Sequence, residues 1–485
     1  MYSKQALFLV VTLSLGVGFA ATAPAADPAA HLGKHPNVLF IAVDDLRDWV
    51  GYLGHKPAKT PNLDRLAREG ESFTRSYCAA PLCNPSRAAL VTGRRPGASG
   101  VYTNATDWRP LNTEVVTLPL HFKQNGYEVL GVGKITHDAF RRESDWTEFH
   151  AHAPAEDQPK TRSGKEKGNE GGVGGIKFQP ITLADDEMDD YASASYAIRQ
   201  LQTKHDKPLF LACGFHKPHM PWNVPQKYFD LYPLDQIELP PTKAGDLDDL
   251  PAYGVKVAKP AGDHAEMVRS GRWKEAIQAY LATITFMDAQ LGRVLDALDR
   301  SGQKDNTIVV LWSDHGWHLG EKEHWRKFAL WEEATRSPLI ISVPGMTKPG
   351  SVCERTVDLM CLYPTLCELC NLQKPEHVEG ANIVPLLRDA QAQWSTPAVT
   401  TYFRNDHAVR TEKWRYIRYN DGSEELYDHS ADPHEWTNLA SDAQHARVKE
   451  ELAKHLPTEN RPGPTGETQT KAKQGKKNKT KNKAK

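Results

Sequence analysis

Asn37-Val38-Leu39-Phe40-Ile41-Ala42-Val43-Asp44-Asp45 is the stretch that decides the fold. Val38 to Val43 is an unbroken apolar run rich in β-branched side chains. Such a run fits a strand buried on both faces, as in a parallel sheet covered by helices. It stops on two adjacent carboxylates, which are costly at the end of a buried strand unless a cation compensates them. The pattern recurs three times. Residues 127–132 run into Gly133-Lys134-Ile135-Thr136-His137. Residues 208–213 run into Gly214-Phe215-His216-Lys217-Pro218-His219, and residues 307–313 into Asp314-His315-Gly316. A further apolar strand is expected over 338–343. Helical patterns lie between: one opening at Pro61, one capped by Thr117, one over 185–204, and one over 274–300. In the last, Ile277, Leu281, Ile284, Met287, Leu291, Val294 and Leu298 make a single stripe. The alternation predicts an α/β domain with a large, mostly parallel central sheet flanked by helices. In such sheets sites form outside the carboxyl ends of the strands. One sheet edge would then collect Asp44, Asp45, Lys134, His137, His219, Asp314 and His315, with His216 and Lys217 as weaker candidates.

The centre of that edge is supplied by Cys83-Asn84-Pro85-Ser86-Arg87-Ala88-Ala89-Leu90-Val91-Thr92-Gly93. Proline suits the first turn of a helix, where its missing N–H is not needed. Cys83 would therefore sit at a helix N-terminus, where free N–H groups and the helix dipole favour negative charge. Arg87, one turn on, adds a fixed cation. The stretch describes an anion pocket with sulfur at its mouth; its plainest alternative is a buried free cysteine.

Cys-x-Pro-Ser-Arg followed by Leu-x-Thr-Gly resembles the signature of type I sulfatases, which have an alkaline-phosphatase-like fold. The resemblance implies that Cys83 is oxidised to formylglycine. The hydrated aldehyde would attack the sulfur of a sulfate ester and expel sulfate as its carbonyl re-forms. It implies a metal site of Asp44, Asp45, Asp314, His315 and the residue-83 oxygen. Imidazole would suit zinc, but three carboxylates and a diol oxygen suit a hard ion, and the family likeness decides for one Ca2+. Lys134, Lys327 and His219 would hold sulfate and the leaving oxygen, with His219 or Lys327 as general acid. His137 would bond the diol and take the proton that releases sulfate, and Arg87 would neutralise the diol and stiffen its loop. Val43-Asp44-Asp45-Leu46-Arg47, Thr92-Gly93-Arg94-Arg95-Pro96, Phe215-His216-Lys217-Pro218-His219 and Asp314-His315-Gly316-Trp317 resemble the iduronate-2-sulfatase branch. A sulfated polysaccharide or oligosaccharide substrate, first a 2-O-sulfated uronate, is what this implies. A formylglycine-generating enzyme or other maturase is the implied partner. Choline or aryl sulfates are the alternative substrates. If Cys83 stays a thiol, the alternative is a non-catalytic binder of sulfated glycan.

The ends of the chain read differently. Residues 1–26 have a charged start, an apolar middle and an Ala-x-Ala region, as in a secretory signal peptide. Export to the periplasm or beyond is expected, with no membrane span. Residues 461–485 form a lysine-rich tail expected to be disordered. The 485 residues carry 60 basic against 61 acidic side chains; without Lys4 and the eight lysines from Lys471 on, the balance is 51 against 61. The body is thus acidic, and no nucleic-acid partner is expected. Seven cysteines leave at least one unpaired; Cys367 and Cys370 read as packing residues or half of a disulfide. Residues 36–374 are assigned to the catalytic domain. Residues 375–460, with short strands near 399–403, 408–411, 414–419 and 425–428 and a closing helix, are assigned to a smaller antiparallel-sheet-plus-helix unit. A polar insertion over 155–181, with Gly171-Gly172-Val173-Gly174-Gly175 inside it, is expected to be a mobile surface loop.

Overall fold

The structure is a computed structural model, and it describes residues 33–137, 140–151 and 171–464. The segment read as a signal peptide, most of the polar insertion and most of the lysine-rich tail lie outside these residues. In chain order the strands are β1 (Asn37–Val43), β2 (Glu71–Tyr77), β3 (Glu128–Gly133), β4 (Glu148–His150), β5 (Leu209–Phe215), β6 (Thr307–Ser313), β7 (His318–Leu319), β8 (Trp325–Arg326), β9 (Leu339–Ser342), β10 (Ser351–Asp358), β11 (Ala398–Thr401), β12 (His407–Arg410), β13 (Trp414–Arg418) and β14 (Glu424–Asp428). Eight form one sheet in the order β10-β2-β9-β6-β1-β5-β3-β4. Only β9 runs against its neighbours; every other pairing is parallel.

The alternation of side chains along β1 explains why this sheet is buried on both faces. Leu39, Ile41 and Val43 enter one core, and Val38, Phe40 and Ala42 the other. The first core is closed by the helix Trp273–Arg300, whose apolar stripe is buried along its length. The second is closed by the helices Leu118–Gln124 and Leu362–Leu369. Thr117 caps the former by accepting from Leu120 N–H at 3.3 Å.

The four strands that the sequence ends in charged or imidazole residues are β6, β1, β5 and β3, which lie side by side. They are mutually parallel, so their carboxyl ends share one edge. Three strands of this sheet, β2, β4 and β10, gave no sequence signal; β4 is only Glu148–His150. β2 is Glu-Ser-Phe-Thr-Arg-Ser-Tyr, and β10 is Ser-Val-Cys-Glu-Arg-Thr-Val-Asp. Their polar residues suppress the apolar pattern, although Glu71, Ser72 and Ser76 are buried by the sheet around them.

Residues 398–428 make a separate antiparallel sheet in the simple order β11-β12-β13-β14. One face packs on the helix Ala446–Ala453, the other on Leu330 and Trp331. β11 also meets the chain ahead of Cys83: Thr401 N–H donates to Ala79 O at 2.9 Å and the Thr400 hydroxyl to Cys78 O at 2.6 Å.

One expectation needs correction, and one alternative is decided. The end of the polar insertion is not a free loop. Ile176, Phe178 and Ile181 are buried in the first core, and residues 178 and 181 bridge to Trp222 and Pro225. Three apolar side chains at two- and three-residue spacing hold it there, outweighing the glycines before them. Of the two readings of Cys367 and Cys370, packing holds: all seven cysteines are buried free thiols, and these two lie in the second core.

Candidate active site

Helix α1 (Pro61–Glu69) precedes β2, and helix α2 (Cys83–Thr92) follows it; every residue of α2 is buried. Pro85 lies in the first turn of α2, and Gly93 closes it at φ 69° in the left-handed region that glycine tolerates. The Asn104 carboxamide accepts from Asn84 N–H at 2.9 Å, a cap contributed from outside the helix. Cys83 thus stands at the head of a rigid element, over the sheet edge.

Around its sulfur lie Lys327 Nζ at 2.9 Å, His315 Nε2 at 3.4 Å and Asp45 Oδ1 at 3.7 Å. Asp44, Asp45, Cys83, Asp314 and His315 each offer a ligand atom, and these atoms lie within 4.8 Å of one another. Asp44 Oδ2 and Asp45 Oδ2 are buried and accept no hydrogen bond. The nearest cations, Lys134 Nζ at 3.4 Å and His219 Nε2 at 3.8 Å, approach them without a hydrogen bond, so part of the cost of burying these oxygens is left for a further cation to meet. The donor set therefore fits a hard divalent ion, with the imidazole as its one nitrogen.

The backbone aims these groups. Asp45 sits at φ 62°. Its N–H donates to Asp314 Oδ1 at 3.0 Å, and its carbonyl accepts from the Tyr280 hydroxyl at 2.8 Å. The Ser86 hydroxyl donates to Asp314 O at 2.6 Å, tying α2 to the end of β6. Arg87 is wholly buried. Its Nε meets Asp314 Oδ2 at 2.8 Å, Nη2 meets Asp44 Oδ1 at 3.2 Å, and Nη1 meets the carbonyls of Lys134 (2.6 Å) and Ile135 (3.1 Å). The guanidinium is spent on carboxylates and on the turn after β3, so it stiffens the loop.

Three further cations border the cluster. Lys134 Nζ is 3.4 Å from Asp44 Oδ2, Lys327 Nζ 2.7 Å from Asp45 Oδ1, and His219 Nε2 3.8 Å from Asp45 Oδ2. Burial works to raise Asp44, but Lys134, Arg87 and His219 outweigh it and hold the carboxyl well below the usual range. Asp45 is lowered in the same way, by Lys327 and His219 against burial. Burial does raise Asp314, in spite of Arg87. Burial pulls His219 down, yet Asp45 and Asp44 push it up to about 9. Burial followed by Asp44 raises the Cys83 thiol, against the pull of Lys327.

The remaining sequence candidates are placed as follows. His137 follows the turn held by Arg87, and its ring stacks on Phe140 at 5.6 Å; it is not one of the five clustered ligands. The backbone N–H groups of His216 and Lys217 both donate to the Asp190 carboxylate, at 2.7 and 2.9 Å. Lys217 Nζ donates to Pro221 O at 2.5 Å. These contacts shape the loop that carries His219. Sequence reading missed Tyr280, Asn104 and Asp190, and gave no role to Ser86 although it stands in the signature, because nothing local marks a side chain whose partner lies elsewhere in the fold.

Glu332, His429 and Glu435 form a second group of potential ligands. Arg410 and Arg415 pair with Glu332, and Arg415 also with Glu435. Unlike Asp44 Oδ2 and Asp45 Oδ2, each oxygen of Glu332 and Glu435 already has a hydrogen-bond partner, from Tyr77, Arg410 and Arg415, His429 or the Glu332 N–H, so this group joins the two sheets.

Residues 36–372 match the family model described as Sulfatase, and residues 320–461 one described as N-sulphoglucosamine sulphohydrolase, C-terminal. A protein of Formosa agariphila named "Sulfatase" is 40% identical over 443 residues, covering 88% of this chain and 87% of that protein. Iduronate 2-sulfatase of Mus musculus is 30% identical over 518 residues, covering 86% and 93%. Among solved structures, the phosphonate monoester hydrolase of Agrobacterium radiobacter superposes with a TM-score of 0.72 at 24% identity, over 87% of this chain and 96% of that one. At that identity the likeness speaks for the fold.

Proposed function

The chain belongs to the sulfatase family, hydrolases of sulfate esters, and on that premise we propose that its substrate is a sulfated carbohydrate, first a 2-O-sulfated uronate. The reading rests on one observation: Cys83 heads α2 inside the carboxylate cluster, within reach of Lys327 and His315. As a thiol it is a poor nucleophile, since burial and then Asp44 keep it protonated. Converted to formylglycine and hydrated, position 83 supplies an oxygen nucleophile and, by re-forming its carbonyl, a way for sulfate to leave. Cys83 is 2% exposed in the folded chain, so a maturase must meet it before the fold closes. A calcium ion held by Asp44, Asp45, Asp314, His315 and the residue-83 oxygen would balance the carboxylates and polarise a sulfate oxygen.

The other roles belong to the chain's own cations. Lys134 and Lys327 flank the cluster from two sides and would bind the sulfate oxygens. Burial opposes the charge on Lys327, but the Asp45 carboxylate outweighs it and raises its pKa, so it holds its proton and acts as an anchor. His219 is more accessible, with a side chain 36% exposed. It holds a proton at neutral pH and is the better placed donor to the departing sugar oxygen. His137, beyond the turn after β3, is assigned removal of the proton that releases sulfate. The mouse relative's name and its 93% coverage support a uronate substrate. Export, as the first 26 residues suggest, would place the enzyme where such polysaccharides are found.

The test is a desulfation screen with an aryl sulfate, choline sulfate and defined sulfated oligosaccharides, beside mass spectrometry of the peptide containing Cys83. Preferred release of a uronate 2-O-sulfate, with the aldehyde at position 83, is the expected result. Preference for choline sulfate overturns the substrate. An intact thiol in protein from the native host, with no turnover, leaves a glycan-binding protein.

A further inference from the structure

We infer that Lys322, a buried ammonium with no part in the site, positions Lys327 through the backbone of the arm between them. The arm leaves β7 at Gly320 and returns through β8, a ladder of two residue pairs only. Along it Lys322, Glu323, Arg326 and Phe328 all have positive φ, at 54°, 48°, 77° and 80°. None is glycine, so this backbone is strained and persists only where its surroundings impose it. Lys327 lies between the last two of these, Arg326 and Phe328.

The restraint comes from outside the arm. Lys322 Nζ donates to Asp246 Oδ1 at 2.8 Å and to the carbonyl of Glu435, and lies over the Tyr427 ring at 5.2 Å. Lys322 is 2% exposed and Asp246 3%. A buried ion pair adds little stability over an apolar pair of the same shape, because desolvation consumes most of the attraction. What it does provide is a fixed direction, here joining the arm to residue 246 on one side and to the smaller sheet's neighbour Glu435 on the other. Past Lys322, the His324 ring lies between the carbonyls of Ala258 (2.8 Å from Nδ1) and Lys327 (2.7 Å from Nε2); burial favours the neutral ring, which donates to one of them. Phe328 N–H reaches Pro81 O at 3.3 Å, two residues before Cys83. The path from Lys322 to the Lys327 ammonium, 2.9 Å from Cys83 Sγ, is therefore short and held at each step.

The inference rests on the proposed reading only in taking Lys327 to act on the reacting group. Its test compares the wild type, Lys327→Ala and the double variant Lys322→Met/Asp246→Leu, which removes both buried charges and leaves neither alone. Tm, kcat and KM are measured on 4-nitrophenyl sulfate with matured protein. We expect the double variant to fold, to keep KM within about threefold, and to lose about tenfold to a hundredfold in kcat, as a displaced catalytic group does. A purely structural pair would lower Tm and leave kcat per folded molecule unchanged, and that outcome overturns the inference. Asp246→Asn, which keeps the shape and the Lys322–Glu435 contact, is measured alongside; if only this variant folds, its kcat decides, and wild-type kcat sinks the idea. Should Lys327→Ala itself keep full kcat, the assignment of Lys327 fails instead.

Discussion

At the residue scale, two side chains have consequences that separate chemistry from stability. On the proposed reading, Cys83→Ala removes the precursor of the nucleophile without leaving a charge or a large cavity. Turnover should fall by about three orders of magnitude or more while Tm stays near that of the wild type; a variant that turns over ester would mean the reaction does not pass through position 83. Arg87→Ala does the opposite first. It strips the partner from Asp44 and Asp314, both buried, and the loss of one member of such a group costs about 3–5 kcal/mol. Thermal unfolding should show a large drop in Tm, smaller when calcium is present to take over the charge balance. Both residues stand in the signature and were visible in the sequence. Tyr280 and Asp190, which hold the backbone of Asp45 and of the His216–Lys217 turn, were not. A tyrosine in a helical stripe and an aspartate in a first helical turn look ordinary until the chain folds.

At the element scale, the helix Trp273–Arg300 and the Asp190 carboxylate can be tested apart from the chemistry. Ile284 has no exposed surface in the first core, so Ile284→Ala should cost about 2–5 kcal/mol, read from denaturant unfolding, with kcat of the folded protein unchanged. Asp190 is buried, and burial raises its pKa to about 6 in spite of the His216 and Lys217 N–H groups. Its folded value thus lies above the ordinary 3.8, so the folded state prefers the protonated form. The contribution to stability is fully present below pH 3.8 and is lost as pH rises through about 6, an effect of roughly 2–3 kcal/mol. Relative to Asp190→Asn, the wild type should therefore lose stability between pH 4 and 6.5 and change little above that. A constant gap across this range would show that the carboxyl does not titrate there. The apolar strands and this amphipathic helix were legible in the sequence because period two and period 3.6 are local properties. β2 and β10 were not, since their place is set by what they pair with.

At the scale of the whole molecule, the proposed ion in the cluster of Asp44, Asp45, Asp314 and His315 would make folding and metal binding one equilibrium. Calcium at about 100 times its Kd should stabilise the protein by about 2.7 kcal/mol. Asp44→Asn should shrink the calcium-induced rise in Tm; a chelator with no effect on Tm or turnover would argue against the ion. The sequence by itself determined the α/β class, the four central strands, and the identities of the residues at their ends, because burial on both faces demands continuous apolar runs and charge is tolerated only where they stop. It also marked Cys83 and Arg87, since a helix start and a signature are written in neighbouring residues. Only the tertiary structure decided that β6, β1, β5 and β3 lie side by side, that the arm carrying Lys327 is strained and pinned at Lys322, and that the apolar end of the glycine-rich insertion is packed in the core. These are contacts between residues tens to hundreds of positions apart, and no local pattern in a chain records which distant partner will satisfy a buried charge or hold a disfavoured φ.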